Sequence, residues 1–296
     1  MNRRLLLSAL AGITMLGALV TWHFSAAPQQ RTGSPPVSAT SAKASGSASG
    51  GPHATSTPAP AAADRAAAAA AFRSINPAFP RAVQWQDHTP APAGAVTDSW
   101  NRLEPAARQG DAVAAYALFG ALDRCLRLDE RTGQPVANLT AGERDDLERD
   151  LRDCTGVTAQ QLQTAYAWLL QAANAGHLEA QLSYAHVGRK ALGNATQMLT
   201  DPEAVVRYRD DRTRLLQAAV DRGSIDALGM LASGYESGIA QKTDPLLAYA
   251  YTEALVQVDA GESHRADLTR LASALTPAQV AQARTQAQRI LDRCCR

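Results

Sequence analysis

The sequence predicts an all-α protein built from stacked αα-hairpins, and three observations lead there. Hydrophobic residues make up 46% of the 296 positions but aromatics only 5%. An alanine-rich, aromatic-poor chain suits closely packed helices better than a β-sandwich, which draws on β-branched and aromatic side chains. A spacing recurs along the chain: two small apolar residues, two variable ones, Gly, three variable, Ala, three variable, then a large apolar residue. Helix-start signals fall where this spacing requires them.

The first third lacks the pattern. Met1-Asn2-Arg3-Arg4 is basic, and Leu5 to Val20 carries no charge, with Trp22 and Phe24 extending it. About 20 such residues, as a helix, reach about 30 Å and span a bilayer. Residues 1–24 are therefore expected to anchor the chain in the inner membrane through 5–24, N-terminus inside. The alternative is a signal peptide cut near Ser25-Ala26-Ala27. Both readings export the remainder of the chain. In Ser25 to Ala71, thirty-nine of 47 residues are Ala, Ser, Thr, Gly or Pro. That tract has too little large apolar surface to offset ordering entropy, and it reads as a disordered tether. Its coil reach is about 35–40 Å. Residues 72–93 bring Phe72, Phe79 and Trp85 among four prolines, an irregular lead-in docked on the folded part. The domain scheme is thus 1–24 anchor or signal, 25–93 linker and lead-in, 94–296 helical body.

In the body the spacing occurs at Ala106-Ala107-Arg108-Gln109-Gly110 with Ala114 and Leu118. It returns at Ala172-Ala173-Asn174-Ala175-Gly176 with Ala180 and Tyr184, and at Ala219-Val220-Asp221-Arg222-Gly223 with Ala227 and Leu231. Gly closes one helix. The next helix starts at once, with its Ala and its large residue on one face. Small residues let helices approach and large ones fill the groove. Each hairpin leaves an apolar face that only its neighbour can cover.

Helix starts follow the same grid. Thr140 to Glu143, Thr158 to Gln161 and Thr276 to Gln279 are capping boxes, and Asp201-Pro202 and Asp244-Pro245 place proline in the first turn. These signals predict helices near 95–109, 111–127, 141–153, 158–175, 177–192, 202–222, 224–237, 245–260, 263–274 and 277–293. No stretch alternates with period two for long enough to predict a strand.

The run from Gly223 through Ala227, Leu231, Tyr235 and Gly238, followed by Asp244, Ala248, Tyr251 and Ala254, resembles one full Sel-one-like repeat, a relative of the tetratricopeptide repeat. The resemblance extends over roughly 95–260. The first unit departs from it, with Leu122 in the tyrosine position and an insert at about 126–157. The second departs with Gly188 in that position and a loop at 193–200. The resemblance implies a right-handed α-solenoid of about three to four hairpins that serves as an adaptor or platform, with no chemistry of its own.

Cys125 and Cys154 bracket the insert. A bond between them would close a loop of about 30 residues and stabilise by about 3–4 kcal/mol in the chain-entropy account. An exported chain makes that bond expected; two separate buried thiols are the alternative. Cys294 and Cys295 are adjacent. A vicinal disulfide is strained, which leaves free thiols or an intermolecular bond as options.

Motifs for chemistry are absent. There is no His-Glu-x-x-His, Gly-x-Ser-x-Gly, Ser-x-x-Lys or phosphate loop, and no cofactor or metal set is expected. His177 and His186 lack zinc-pair spacing, and His177 is placed to cap a helix. The acidic run from Asp145 to Asp153, interleaved with Arg144, Arg149 and Arg152, reads as a solvated helix. The run from Arg207 to Arg214 reads the same way. A net charge of +1 gives no pull toward nucleic acid. The tyrosines mostly occupy motif positions in the hairpin core. Tyr166 and Tyr249 share a register beside Trp168 and Tyr251 and are expected to be exposed partner contacts. The expected function is a non-catalytic protein–protein interaction module of the bacterial cell envelope. It would be tethered on the periplasmic side and bind a protein or peptide there. The competing readings are an enzyme acting on cell-wall peptides and a secreted effector.

Overall fold

A computed structural model describes residues 70–132, 139–239 and 241–296. The anchor or signal at 1–24 and the tether through residue 69 lie outside the described residues. Among the described residues, no helix is long and apolar enough to cross a membrane.

Two short strands come first: β1 (Phe72–Ser74) and β2 (Val83–Trp85). They pair antiparallel, with Phe72 opposite Trp85. Helices follow: α1 (Val96–Arg108), α2 (Ala112–Thr132), α3 (Ala141–Asp153), α4 (Ala159–Gln163), α5 (Ala165–Asn174) and α6 (Leu178–Val187). After a 3-10 turn (Gly188–Leu192) come α7 (Ala195–Thr200), α8 (Pro202–Asp221), α9 (Ile225–Ser237), α10 (Pro245–Val258), α11 (Glu262–Ala272) and α12 (Pro277–Cys294). The protein is predominantly helical, as its composition and spacing predict.

The predicted recurrence is one backbone device used three times. Gly110, Gly176 and Gly223 all have φ between 87° and 96°. In each turn the glycine N–H reaches back three residues and the next N–H reaches back five, as in His177 to the Ala172 carbonyl (3.0 Å). That is a Schellman end, and it needs the left-handed backbone that glycine adopts freely. The residue after the glycine then caps the following helix. Asp111 accepts from Ala114 N–H at 3.0 Å, His177 Nδ1 from Ala180 at 3.3 Å and Ser224 Oγ from Ala227 at 3.2 Å. One residue thus ends one helix and starts the next, which explains why the recurring Ala stands four positions after Gly.

Packing proceeds in chain order. The main partners are α1 with α2, α2 with α5, α5 with α6, α6 with α8, α8 with α9, α9 with α10, and α10 with α11 and α12. The motif residues lie in these contacts. Ala114, Ala180 and Ala227 are buried, and so are Leu118, Tyr184 and Leu231. One apolar cluster gathers α1, α2, α5 and α6 with Leu215 of α8. A second takes up Leu216 of α8 and continues through α9, α10 and α12. Burying a leucine contributes about 1.5–3 kcal/mol, so these shared faces hold neighbouring hairpins together.

Three elements differ from the sequence expectation. The predicted absence of strands is corrected by β1 and β2, each three residues long. They are too short to show a period and are set by docking: Phe72, Ile75, Phe79 and Trp85 pack on the second cluster. The loop expected at 193–200 contains α7, capped by Asn194 and Gln197 in a capping box. The helix expected at 158–175 is split by Thr164 into α4 and α5.

Candidate peptide-binding groove

The lead-in after β2 is a strap across the helices. Its chain runs over the starts of α9, then α6, then α2, in reverse order of sequence. Val83 N–H bonds the Gly223 carbonyl at 2.9 Å. Trp85 N–H donates to Asp226 Oδ2 at 2.7 Å. Thr89 N–H donates to Glu179 Oε1 at 2.7 Å, and its hydroxyl to Oε2 at 2.5 Å. Ala91 lies against Gly120, where a Cβ would stand 3.5 Å away. The strap ends where Arg124 of α2 grips the Gly94 carbonyl at 2.9 Å.

Glu179 and Asp226 hold the same position in successive hairpins, three residues after the turn glycines Gly176 and Gly223. An acid in the first turn suits the helix dipole, but these carboxylates turn to the strap and accept its backbone N–H groups. The donors, Trp85 and Thr89, are four residues apart. In the first hairpin the matching residue is Val113, and there the strap presents Pro90, Ala91 and Pro92. Proline has no N–H to offer, so an apolar wall suits it. Glu179 is completely buried. A buried carboxylate needs bonded donors, and Thr89 supplies two, with His88 Nδ1 at 3.7 Å from it.

Beside the strap a cavity of about 480 Å³ remains open, lined by Trp85, Phe119, Asp123, Arg127, Ser183 and His186. Tyr116 and Ser183 hydroxyls bond each other across its floor at 2.9 Å. Burial, with the Glu179 charge, raises the Tyr116 phenol far above its ordinary value, so it remains a neutral hydroxyl. Burial lowers His186, with Arg212 and His88 adding to the effect. Burial also lowers His177 to about 4, helped by Arg222, which keeps its cap nitrogen free to accept. Asp226 is raised by burial, and the Trp85 N–H opposes that shift. The arrangement combines aromatic, hydroxyl and neutral imidazole groups beside the strap. That chemistry recognises side chains and backbone.

The sequence-predicted site residues separate. Cys125 and Cys154 are bonded, with Cα atoms 5.7 Å apart, and the bond ties α3 to α2. Cys294 and Cys295 are bonded to each other and fully buried, which leaves them no route to a second chain. Tyr166 is half-buried, its ring 6.1 Å from Phe119. Tyr249 is 2% exposed. Its expected role as an exposed contact is corrected: α11 and α12 cover α10, and nothing in the repeat register announces that cover. Tyr166 and Tyr249 lie in different apolar clusters and form no common surface. His177 caps α6 as expected. The solvated reading of the 207–214 run is corrected in part, since Arg212 is half-buried with Nη1 lacking a partner and Arg209 bonds the Gly238 carbonyl. Glu179, Asp226, Trp85 and Thr89 were missed, although the shared position of the two acids after glycine was readable. Among the described residues no group of three or more His, Cys, Asp or Glu could hold a metal ion.

No family model matches the chain, and no match is found among curated proteins.

Proposed function

We propose that this protein is a non-catalytic adaptor of the bacterial cell envelope, an α-solenoid of Sel-one-like hairpins that binds polypeptide across the starts of α2, α6 and α9. The observation that carries this reading is the strap. A proline-bracketed chain crosses the starts of three helices, and matching carboxylates of two successive hairpins hold its backbone. In-order packing of the hairpins supports the solenoid. The Cys125–Cys154 bond fits an oxidising compartment, and the apolar leader fits tethering to the inner membrane. A tethered module acts on partners near the membrane at raised effective concentration. The cavity beside the strap gives a partner's side chains a place to enter.

The test is co-purification of the full-length chain from envelopes, compared with the double variant Arg127→Glu, His186→Glu. Both residues are exposed on the cavity rim. The reading expects one set of envelope proteins retained by the parent and reduced at least tenfold in a variant with an unchanged unfolding midpoint. Equal recovery by both chains contradicts it.

A further inference from the structure

A second cavity, of about 420 Å³, opens along α8 and shares no lining residue with the groove. Arg209, Asp210, Thr213 and Arg214 form one wall, since residues four apart share a helix face. Tyr235 of α9 and the loop residues Gln241 and Lys242 form the other. The polar groups of the floor are already engaged. Gln241 is buried, donates to the Leu231 carbonyl at 3.3 Å and accepts from the Thr213 hydroxyl at 3.1 Å. The charges are not. Lys242 is exposed and meets no acid among the described residues. Arg209 puts Nη2 on the Gly238 carbonyl at 3.2 Å, which leaves Nε and Nη1 to offer. Arg214 puts Nη2 on Asn174 and Asp211, both at 2.7 Å. Behind the wall Arg212 pairs with no acid among the described residues, and its buried Nη1 lacks a partner. Three acids stand against these four cations. Asp211 is held by Arg214, Asp244 caps α10 through the Leu247 N–H at 3.0 Å, and Asp210 alone is unengaged.

We propose that this cavity binds the phosphomonoester of a polyol or sugar, with Arg209, Arg214 and Lys242 on the phosphate and Asp210 on hydroxyls of the carbon body. The excess of positive charge calls for an anion, and the donors decide which. A carboxylate is best met by one whole guanidinium fork, and both lining arginines have already committed Nη2 to the protein. A phosphoryl group carries close to two charges and three acceptor oxygens, so it takes single bonds from several cations. Asp210 repels a bare anion but accepts from hydroxyls, which a polyol body supplies. The volume exceeds that of phosphate alone and lies in the range of small-molecule sites. The site goes beyond the adaptor reading and does not rest on it.

Calorimetric titration of the full-length chain in non-ionic detergent tests this, with glycerol phosphate, glycerol and inorganic phosphate as probes. The proposal expects saturable binding of glycerol phosphate, at least tenfold weaker binding of the other two, and weakening of all phosphate binding as salt is raised. Lys242→Gln is expected to lower the affinity for glycerol phosphate about tenfold. Its unfolding midpoint stays unchanged, because Lys242 is exposed and unpaired among the described residues. Asp210→Ala is expected to bring the ester down to the level of inorganic phosphate. Glycerol phosphate binding that is absent, that glycerol matches, or that Lys242→Gln leaves intact overturns the proposal. Binding of phosphatidylglycerol vesicles in preference to glycerol phosphate assigns the cavity to a lipid headgroup and overturns the polyol assignment.

Discussion

Glu179 shows how one side chain joins strap to hairpin. Its carboxylate is fully buried and accepts two bonds from Thr89. Charged hydrogen bonds contribute more than neutral ones, and donors stranded by truncation lose their solvation as well. Glu179→Ala is expected to destabilise by about 2–3 kcal/mol in denaturant titration, with Glu179→Gln intermediate because the amide oxygen still accepts. His177 yields a pH prediction. Its folded value near 4 lies below the ordinary 6.5, so the unfolded chain binds a proton first as pH falls. The His177 contribution is therefore complete above pH 6.5 and is lost on acidification toward pH 4. His177→Asn keeps an N-cap acceptor and is expected to flatten that slope in unfolding midpoints measured across the interval. Both residues follow a turn glycine, which is why His177 was legible in sequence. Glu179 was not, because its partner is 90 residues away in the chain.

Among the elements, the three turns have one geometry but different surroundings. A Cβ on Gly176 would meet only the mobile end of Arg222 at 3.2 Å, whereas one on Gly223 would collide with the Arg81 carbonyl of the lead-in. Gly176→Ala is expected to cost about 1–2 kcal/mol for its left-handed backbone. Gly223→Ala adds a clash with backbone and is expected to exceed it by about 1–3 kcal/mol, read as the difference between the two unfolding free energies. The α2–α3 pair depends on the Cys125–Cys154 bond, which spans 29 residues of sequence. Reduction, or paired Cys→Ser substitution, is expected to lower stability by about 3–4 kcal/mol, measured by denaturation with and without reductant. Helices were readable because their caps are local: the boxes at Thr140, Thr158 and Thr276 form as predicted. Strands β1 and β2 were not, since three residues carry no pattern and the Gly223 carbonyl sets their place.

At the scale of the whole described unit, helices pack mainly against those next in chain order and share two apolar clusters. Spacing alone made that order legible, because small residues must recur wherever two helices approach. The strap was hidden for the opposite reason. Its contacts join residues 83–94 to helices up to 141 positions away, and the four prolines of residues 72–93 made the whole lead-in look irregular. Tyr249 misled for a related reason: a repeat register states which residues face the next hairpin but not that α11 and α12 close over the last one. Carboxylates of successive hairpins hold the strap in the groove, and site-resolved amide hydrogen exchange reads that hold residue by residue. In the full-length protein the Trp85 and Thr89 amides are predicted to be protected as strongly as Leu169 of α5 and Leu228 of α9, and Glu179→Ala to release Thr89 while Leu169 and Leu228 stay protected. Exchange of both strap amides at free-peptide rates in the unmodified chain would contradict it.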